Sequence, residues 1–291
     1  MKAIIEKKKM MQSLSHLHGV VEKRNTIPIL ANVLIEAKEN TLSLAATDME
    51  IAELQNISCK VEQSGSITTP AHVLYDIVRK LPDSSLIELE SSEGKKLDIK
   101  TDKISFSLMC LNPKDFPDVH SGDFPEGFEI EATKLARLID KTLFSVSTEE
   151  TRYYLNGIYL HSVKEGDEEV FRVVATDGHR LSRLSTELPL KANNLEGVII
   201  PRKTVIELRK ILENKEDSVK IQISKNKIKF IIDNIIITSK LLDGAFPDYE
   251  RVIPNNNKKE LIIDTKEFID AVDRVSTLSS DRTKAIKENT L

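Results

Sequence analysis

The chain has 291 residues, 40% of them hydrophobic, and a formal net charge of −4 at pH 7. These values predict a globular chain of about two domains, and no apolar run approaches the roughly 18–20 residues of a membrane span. The N-terminal segment MKAIIEKKKMMQ lacks the apolar core of a secretory signal, so we expect a cytoplasmic protein. Cys59 and Cys110 lack metal-ligand spacing, which argues against a disulfide framework and a zinc site.

The chain repeats itself at a spacing of about 130 residues. The segment AATDMEI recurs as VATDGHRL, which makes Asp48 equivalent to Asp177, and NPKDFPDV recurs as DGAFPDYERV. The segment TTPAHVLYDIVRKLPD likewise recurs as IIPRKTVIELRKILEN. Three landmarks at one spacing predict tandem copies over residues 1–125 and 126–255, with the start of a third copy over 256–291.

Each copy predicts the same order of elements. A short strand leads into a helix, alternating strands follow, and a second helix opens with Pro70 or Pro201 at an early helical position. A meander of strands closes the copy. We therefore expect an α+β fold of tandem repeats, each with two helices packed on antiparallel sheet. In the third copy we expect an opening strand, a helix over 264–280, and either disorder or a strand without partners beyond Arg282.

The stretch VVATDGHRL concentrates polar groups around one glycine. Asp177-Gly178 between two strand-like runs predicts a type I′ hairpin, in which both central residues have positive φ. Three interpretations stay open: a general base at His179 oriented by Asp177, a polar surface turn, or a binding edge. No serine or cysteine nucleophile is recognisable, and the first copy has Glu50 in place of His179, so we favour the binding edge.

Two further patterns bear on cofactors. His16 and His18 lie two apart on a predicted helix and do not share a face, so we expect solvent-side or phosphate-side residues rather than metal ligands. The chain contains neither GxxxxGK[ST] nor GxGxxG, so it has no recognisable nucleotide cradle. The sequence predicts no cofactor and no metal.

Basic residues recur on the predicted helices. Lys7, Lys8 and Lys9 open the first helix, and the second helices carry basic residues such as Arg79 and Arg202. Each alone is typical of a solvated helix face. If equivalent helices lie on one side of the molecule, however, these residues form a sequence-neutral phosphate-binding surface.

Five segments together resemble a known family. They are TIPILANVLIEAKENTLSLAATDMEI, TRYYLNGIYL, VVATDGHRL, IIPRKTVIEL and SKLLDGAFPDYERVIP, in this order. They closely resemble the bacterial DNA polymerase III beta subunit family, the replicative sliding clamps, over residues 1–282. The resemblance implies the processivity-clamp fold and a homodimeric ring of six domains that encircles double-stranded DNA. Such a protein is not an enzyme; it tethers the replicative polymerase and the clamp loader through short peptide motifs.

The resemblance also implies two sets of binding residues. One set contacts DNA, and the resemblance places Arg24, Tyr153, Tyr154, Arg202 and Lys203 in it. We add the basic end of the predicted second helix of the first copy, Arg79 and Lys80. The other forms a cleft for partner peptides and comprises Arg152, Leu155, Thr176, Gly178, His179, Arg180, Leu181, Pro247, Arg251 and Val252.

In the family, the third domain completes this cleft and supplies one side of the subunit interface. The chain has little sequence equivalent to that domain, so we expect a mostly monomeric protein with weak, salt-sensitive DNA binding. Two alternatives are a peptide-binding adaptor, or a non-functional fragment, without DNA-encircling activity. A hydrolase that uses Asp177 and His179 is the enzyme alternative.

Overall fold

The computed structural model describes residues 1–22, 26–92, 95–119, 122–213, 215–278 and 286. The chain divides into two compact units, Met1–Phe246 and Pro247–Leu291. None of the helices in these described ranges is long and apolar enough to cross a membrane.

The first unit contains two copies of one order of elements. In the first copy they are β1 (Lys2–Glu6), α1 (Lys7–Val20), β2 (Asn32–Lys38), β3 (Thr41–Thr47), β4 (Ile51–Ser58), β5 (Lys60–Gln63), β6 (Gly65–Pro70), α2 (Ala71–Lys80), β7 (Leu86–Ser92), β8 (Lys96–Lys100) and β9 (Ser105–Met109).

The second copy has the same order without the equivalent of β5. Its elements are β10 (Phe128–Glu131), α3 (Ala132–Asp140), β11 (Gly157–Glu165), β12 (Glu168–Thr176), β13 (Leu181–Glu187), β14 (Val198–Pro201), α4 (Arg202–Ile211), β15 (Ser218–Ile223), β16 (Lys227–Ile232) and β17 (Ile235–Lys240).

The strands form three antiparallel sheets, and the largest joins the two copies. It has eight strands in the order β10-β15-β16-β17-β4-β3-β2-β6, and the other two sheets have the orders β5-β1-β7-β8-β9 and β13-β12-β11-β14. At the junction, β17 of the second copy pairs with β4 of the first, with Ile237 opposite Glu53 and Ile235 opposite Gln55. The predicted α+β arrangement of two helices and antiparallel strands per copy is confirmed.

The helices bury one apolar face each. In α3 the buried residues Ala132, Leu135, Leu138 and Ile139 recur at helical spacing and join one hydrophobic core that extends through both copies. The expected position of the prolines needs a small correction. Pro201, like Pro70, is the last strand residue and the N-cap of its helix, one position before the predicted first turn.

The four helices of the first unit pack into one layer. Helix α1 contacts both α2 and α4, and α3 contacts α4. Gly19 permits the close approach of α1 to α4, because a Cβ atom at this position would lie 2.1 Å from Oε2 of Glu207. The layer therefore runs in the order α2, α1, α4, α3.

His16 and His18, expected on the solvent side or the phosphate side, are only partly exposed. His16 Nδ1 lies 3.2 Å from Nε2 of Gln55, and burial, with the nearby charge of Lys215, lowers the pKa of His16. The ring of His18 packs between α1 and α2, 4.4 Å from the ring of His72 and 4.6 Å from that of Tyr75. Both histidines contribute to packing beneath the helices.

The second unit contains one α-helix among its described residues, α5 (Thr265–Ser276). Asp264 caps it by accepting hydrogen bonds from the amides of Lys266 and Glu267. The helix predicted over 264–280 is thus confirmed in position, but the strand expected before it is wrong, since residues 257–264 form no strand. The equivalent strands β1 and β10 pair with β7 and β15, and the described part of this unit offers no such partner. The expectation for the residues beyond Arg282 falls outside the described residues, apart from 286.

A carboxylic acid is buried where the two copies meet. Glu53 in β4 is 0% exposed, its Oε1 accepts a hydrogen bond of 2.5 Å from Gln55, and its Oε2 has no hydrogen-bond partner. Burial raises the pKa of Glu53 to about 7, and the nearby carboxylate of Glu207 adds to this shift. The carboxyl group therefore costs stability once it ionises.

The Glu53→Gln variant should be more stable than the wild type at pH 8, by roughly 1–3 kcal/mol. The pKa of Glu53 is higher in the folded than in the unfolded chain, so the folded state holds more protons between about pH 4.5 and 7. Wild-type stability consequently loses this contribution as the pH rises through that window. Urea unfolding at pH 5, 6, 7 and 8 measures the difference, which should grow with pH and level off above 7.

Glu36→Gln is the matched control, because Glu36 is an exposed carboxylate on β2 of the same sheet. It should show little pH-dependent gain. Equal stabilisation by the two substitutions at every pH would mean that Glu53 is not protonated in the folded chain near pH 6.

Candidate functional site

The corner between β12 and β13 is built by hydrogen bonds from its own side chains. Oδ1 of Asp177 accepts the amides of His179 and Arg180, each at 2.9 Å. Oγ1 of Thr176 accepts the amide of Gly178 at 3.1 Å and donates to the carbonyl of Arg180 at 2.7 Å. The corner therefore holds its shape independently of a ligand.

The electrostatics of Asp177 agree with this structural role. Burial alone would raise its pKa, but the hydrogen bonds from the amides of Arg180 and His179 and from the Arg180 side chain hold the pKa of Asp177 below its ordinary value. The Oδ2 atom lies 3.1 Å from Nε of Arg180. Both oxygens thus serve the corner rather than the imidazole of His179, so the geometry gives no support to the interpretation of His179 as a general base.

The predicted type I′ hairpin is wrong. The strands end at Thr176 and resume at Leu181, so four residues connect them, and among these only Gly178 has a positive φ, of 87°. A Cβ atom at Gly178 would also lie 2.6 Å from Nη1 of Arg152. Glycine adopts this backbone conformation without strain, and its missing side chain leaves room for the Arg152 guanidinium.

The first copy forms the same corner with a different tip. Oδ1 of Asp48 accepts the amides of Glu50 and Ile51 at 2.9 and 2.8 Å, and Oγ1 of Thr47 bonds to Ile51 O and to the amide of Met49. Met49 has a φ of 79°, as Gly178 has 87°. The hydrogen bonds make Ile51 equivalent to Arg180 and place the next residues, Ala52 and Leu181, in equivalent positions.

The remaining residues of the predicted peptide cleft are divided between the two units. In the first unit, Leu155 is 4% exposed and Arg152 pairs with Glu149 at 2.6 Å. Pro247, Arg251 and Val252 belong to the second unit, where Arg251 pairs with Asp248 at 2.7 Å and Val252 is exposed. The Thr176–Leu181 corner, beside Arg152, is the part whose geometry is described within one unit.

The two tyrosines of the predicted DNA-binding set lie on a short 3-10 segment, Glu150–Leu155. Tyr153 is 52% exposed and Tyr154 is half-buried, with their rings 5.8 Å apart in an edge-on arrangement. Gly244 lies beside them, because a Cβ atom there would make an ordinary contact of 3.4 Å with Cβ of Tyr154. The side chain of Tyr153 is therefore accessible to solvent.

The basic residues of the predicted DNA-binding set fall into two environments. Arg79, Lys80 and Arg202 are exposed, and Arg79 pairs with Asp76 at 3.0 Å on its own helix. The ammonium group of Lys203, in contrast, lies 2.5 Å from Asp48, 3.0 Å from the carbonyl of Val20 and 3.5 Å from Glu22. Lys203 thus ties α4 to the first copy. Arg24 lies outside the described residues.

Lys7 has a role that the sequence did not reveal. It is 7% exposed, and its ammonium group donates to the carbonyl of Leu81 at 2.6 Å and to Asp83 at 2.7 Å. It joins the start of α1 to the end of α2 and does not contribute to a surface charge. The buried Glu53 was also missed, and the polar spacing of IAELQNIS gave no signal that separates its position from an exposed one.

The exposed face of the helix layer carries a positive excess. Its exposed basic residues on α1–α4 are Lys8, Lys9, Arg79, Lys80, Arg137, Arg202 and Lys210, and its exposed acidic residues are Asp76 and Asp140. Lys8, Lys80, Arg137 and Arg202 form no ion pair with the described part of the chain. The helix layer is thus basic although the whole chain is acidic.

Comparisons with known proteins identify both copies. The model of the DNA polymerase III beta subunit N-terminal domain matches residues 1–120, and that of the central domain matches residues 129–248. The beta sliding clamp of Caulobacter vibrioides is 44% identical over 288 residues, which cover 99% of this chain and 77% of that protein. The beta sliding clamp of Rickettsia felis is 40% identical over 291 residues, which cover 99% of this chain and 75% of that protein.

Solved structures that resemble this chain belong to the same family as its sequence relatives. The crystal structure of a sliding clamp (DNA polymerase III subunit beta) from Bartonella birtlesii bound to griselimycin superposes with a TM-score of 0.94 at 47% identity, covering 98% of this chain and 76% of that one. A sliding clamp structure from Caulobacter crescentus superposes with a TM-score of 0.90 at 45% sequence identity, covering 96% of this chain and 76% of that one. The resemblance and the processivity-clamp fold predicted from the sequence are confirmed, and so is the interpretation as a non-catalytic protein. The chain belongs to the DNA polymerase III beta subunit family, the bacterial sliding clamps.

Proposed function

We propose that the layer of helices α1–α4 faces duplex DNA, and that the Thr176–Leu181 corner receives a short peptide of the replicative polymerase or the clamp loader. The chain is a sliding clamp, a protein that keeps a polymerase on its template and performs no chemistry itself. The proposal places it in the cytoplasm, with the chromosome. The observation that carries the DNA part is the excess of exposed basic residues on the helix layer.

Phosphate recognition requires cations that are free to pair. Lys8, Lys80, Arg137 and Arg202 meet this condition within the described part of the chain, while Arg209 is bound to Asp140 through two hydrogen bonds of 2.6 and 2.9 Å. Side chains that bind phosphates without reading base edges give sequence-neutral affinity, which falls steeply with salt. A clamp that slides needs this kind of contact, because its binding must not depend on the sequence beneath it.

Replacing Arg202 or Lys80 by alanine should weaken duplex binding by a similar factor on unrelated sequences. Each substitution should also reduce the slope of log Kobs against log salt by about 1, because each removes one phosphate contact. Fluorescence anisotropy with two labelled 30-base-pair duplexes of unrelated sequence, between 50 and 200 mM NaCl, measures both quantities. An unchanged slope in both variants would contradict the assignment of the helix layer to DNA.

Lys203→Ala is the matched control beside Arg202. Since the Lys203 ammonium group is held by Asp48, Glu22 and the Val20 carbonyl, its loss should lower the free energy of unfolding by about 1 kcal/mol and change the salt slope little. If Lys203→Ala instead reduced the slope as Arg202→Ala does, with unchanged stability, Lys203 would bind phosphate directly.

The proposed peptide cleft rests on the rigidity of its corner. The Thr176 and Asp177 side chains fix the backbone, Gly178 lets Arg152 approach, and Leu181 begins β13 half-buried at the corner. A preformed corner with an apolar residue beside exposed donors suits a short apolar-anchored peptide, because little ordering entropy is lost on binding. The Bartonella birtlesii relative was crystallised with griselimycin.

Leu181→Ala should weaken binding of a fluorescently labelled polymerase peptide about tenfold or more, because the apolar anchor loses its contact. Fluorescence anisotropy at fixed salt measures the affinity. Thr186→Ala, at the far end of the same strand, is the control and should leave the affinity unchanged. Equal affinities of wild type and Leu181→Ala would remove Leu181 from the cleft.

In the proposed function the chain is mostly monomeric, as expected from its sequence, and strand β9 provides the surface for a weak homodimer. It is the edge strand of the sheet β5-β1-β7-β8-β9, and its equivalent in the second copy, β17, pairs with β4. Phe106 and Met109 on this edge are 38% and 69% exposed. An exposed strand edge with apolar side chains is a template for pairing with another chain, and we propose a second copy as that partner.

Phe106→Glu should weaken self-association, because a carboxylate is costly to bury in a strand-to-strand interface. Sedimentation equilibrium of the variant and the wild type gives the dissociation constants, and we expect an increase of about tenfold or more in the variant. Leu190→Glu, which alters a leucine 88% exposed in a loop, is the control. Similar effects of both substitutions would argue against pairing through β9.

A further inference from the structure

Two strands at sheet edges have equivalents that pair with each other inside this chain. Strand β9 lies at one end of the sheet β5-β1-β7-β8-β9, and strand β13 lies at one end of the sheet β13-β12-β11-β14. In the repeat, β9 is equivalent to β17 and β13 is equivalent to β4, and β17 and β4 form the antiparallel pair that joins the two copies. The chain thus carries, on two separate edges, both halves of a pairing that it already makes once.

The ladders within each copy give the equivalence of β9 and β17 residue by residue. Phe106 of β9 lies opposite Ile99 of β8. Ile237 of β17 lies opposite Phe230 of β16. Ile99 and Phe230 are each the third residue after the lysine that begins their strand. Phe106 therefore occupies the position of Ile237.

The equivalence of β13 and β4 follows from the corners that precede them. The two Thr-Asp corners lead into β4 and β13 at equivalent positions, so Glu53 in β4 corresponds to Ser182 in β13. At the junction, Ile237 lies opposite Glu53. A copied pairing therefore places Phe106 opposite Ser182, and this one pair determines the register of the whole antiparallel ladder.

Strand β9 exposes side chains on the core face of its sheet. Phe106 lies opposite the buried Ile99, so the two side chains share that face. Leu108 lies opposite the buried Leu97 in the same way. Phe106 is nevertheless exposed and Leu108 partly exposed, whereas Ile237, the equivalent of Phe106, is buried at the junction. The core face is therefore uncovered at β9, where β17 has β4 beside it.

Strand β13 is uncovered on the corresponding face. Ser182 lies opposite the buried Ala175, on the core face of its sheet. Leu184, two residues on, lies on the same face and packs against the core. Both are partly exposed, whereas their equivalents in β4, Glu53 and Gln55, are buried at the junction. A strand laid along β13 would cover this face.

The side chains of the two edges are complementary. Strand β9 carries no charged residue, and a copied pairing sets its Phe106 beside the small Ser182 and the apolar Leu184. By the same equivalence Val73 on α2, which is exposed, corresponds to Thr204 on α4, which is buried at the junction. Burial of these apolar side chains would favour association, and no acid would be buried as it is between β17 and β4.

We propose that β9 of one copy of this chain pairs with β13 of another copy, in the antiparallel register of β17 with β4, so that the copies associate head to tail. The inference rests on the proposed function for the use of β9, and it goes beyond that function in naming the surface that β9 meets. The two partners contribute different edges to the interface. Two copies that are each blocked at a different edge therefore still form one complete pair.

This pairing leaves the proposed peptide cleft open. Strands β17 and β4 pair as far as the Thr47–Ala52 corner, where the amide of Lys240 donates to the carbonyl of Glu50 at 2.8 Å. A groove of about 280 Å³ nevertheless remains beside that corner. The Thr176–Leu181 corner should therefore stay accessible to a peptide when β9 of another copy lies along β13.

The test uses two variants of the full chain that each block one edge. Phe106→Arg places a cation on β9 and Ser182→Arg places one at the opposing position of β13, where an arginine stays charged and unpaired once the strands associate. Each variant alone should self-associate about tenfold more weakly than the wild type, or weaker still. Their equimolar mixture should form a one-to-one complex at close to wild-type affinity, because one intact β9 meets one intact β13. Sedimentation velocity with one variant fluorescently labelled measures both quantities.

Leu190→Arg is the control, because it adds the same charge at an exposed loop position. It should leave self-association unchanged. Unchanged thermal midpoints and far-ultraviolet circular dichroism establish that the variants are folded. Recovery of association on mixing also shows directly that each blocked variant keeps one competent edge.

Disulfide formation checks the register independently of the arginine variants. The copied register places Ser105 opposite Arg183, and both are exposed. In a chain that carries Cys59→Ser and Cys110→Ser, a Ser105→Cys variant mixed with an Arg183→Cys variant should cross-link on mild oxidation. A Glu187→Cys variant should not cross-link with Ser105→Cys, because Glu187 lies about 13 Å further along the strand.

The outcomes separate this pairing from the β9 homodimer of the proposed function. If Ser182→Arg self-associates as the wild type does while Phe106→Arg is weakened, the pairing with β13 is overturned and the role of β9 stands. If Phe106→Arg is not weakened, both the head-to-tail pairing and the role of β9 fail. If both variants are weakened but their mixture stays dissociated, or if the cysteines at 105 and 183 do not cross-link, the head-to-tail pairing is overturned.

Discussion

The pairing of β17 with β4 is the interaction on which the rest of the structure depends. It turns two copies of one fold into a single eight-stranded sheet with a continuous core. The hydrogen bonds of this ladder are made between residues almost two hundred positions apart, so they form only when both copies are folded. Beneath the ladder lie polar groups, among them the bonded hydroxyls of Thr204 and Ser239 at 2.6 Å, and the acid Glu53. The junction thus gains specificity from polar contacts as well as from burial.

The packing of the helices also determines which of their basic residues stay exposed. Lys203 and Lys7 are drawn into contacts with carbonyl and carboxylate oxygens, where they hold helices to their neighbours. Lys8, Lys80 and Arg202 face away from the sheets and stay exposed. The basic surface of the layer therefore comes from a subset of the basic residues, and its existence is compatible with a net charge of −4.

Much of this organisation was predictable from the sequence, and the exceptions share a physical cause. Repeats, helix faces and the family resemblance depend on local patterns, so the order of elements within each copy was predicted from them. The roles of Lys203 and Glu53 depend on partners that only the folded junction brings close. Asp48 lies on the other copy, and Glu53 occupies an inward position of a strand whose two faces both contain polar and apolar residues. The hairpin at Asp177 was mispredicted because the side chains of Thr176 and Asp177, rather than a two-residue turn, determine its geometry.

In the Thr-Asp corner, the residues that determine the backbone shape differ from the residues that are exposed at the tip. The Thr and Asp side chains satisfy the backbone amides and the closing carbonyl of the corner. The side chains of the tip residues are therefore not needed for its shape, and only one tip position has a positive φ. Substitutions at the tip therefore change the free energy of folding little. The same corner carries Met49-Glu50 in one copy and Gly178-His179 in the other. A duplicated domain with such a corner can diversify what it recognises by changing a few exposed residues, while the rest of the fold stays as it was.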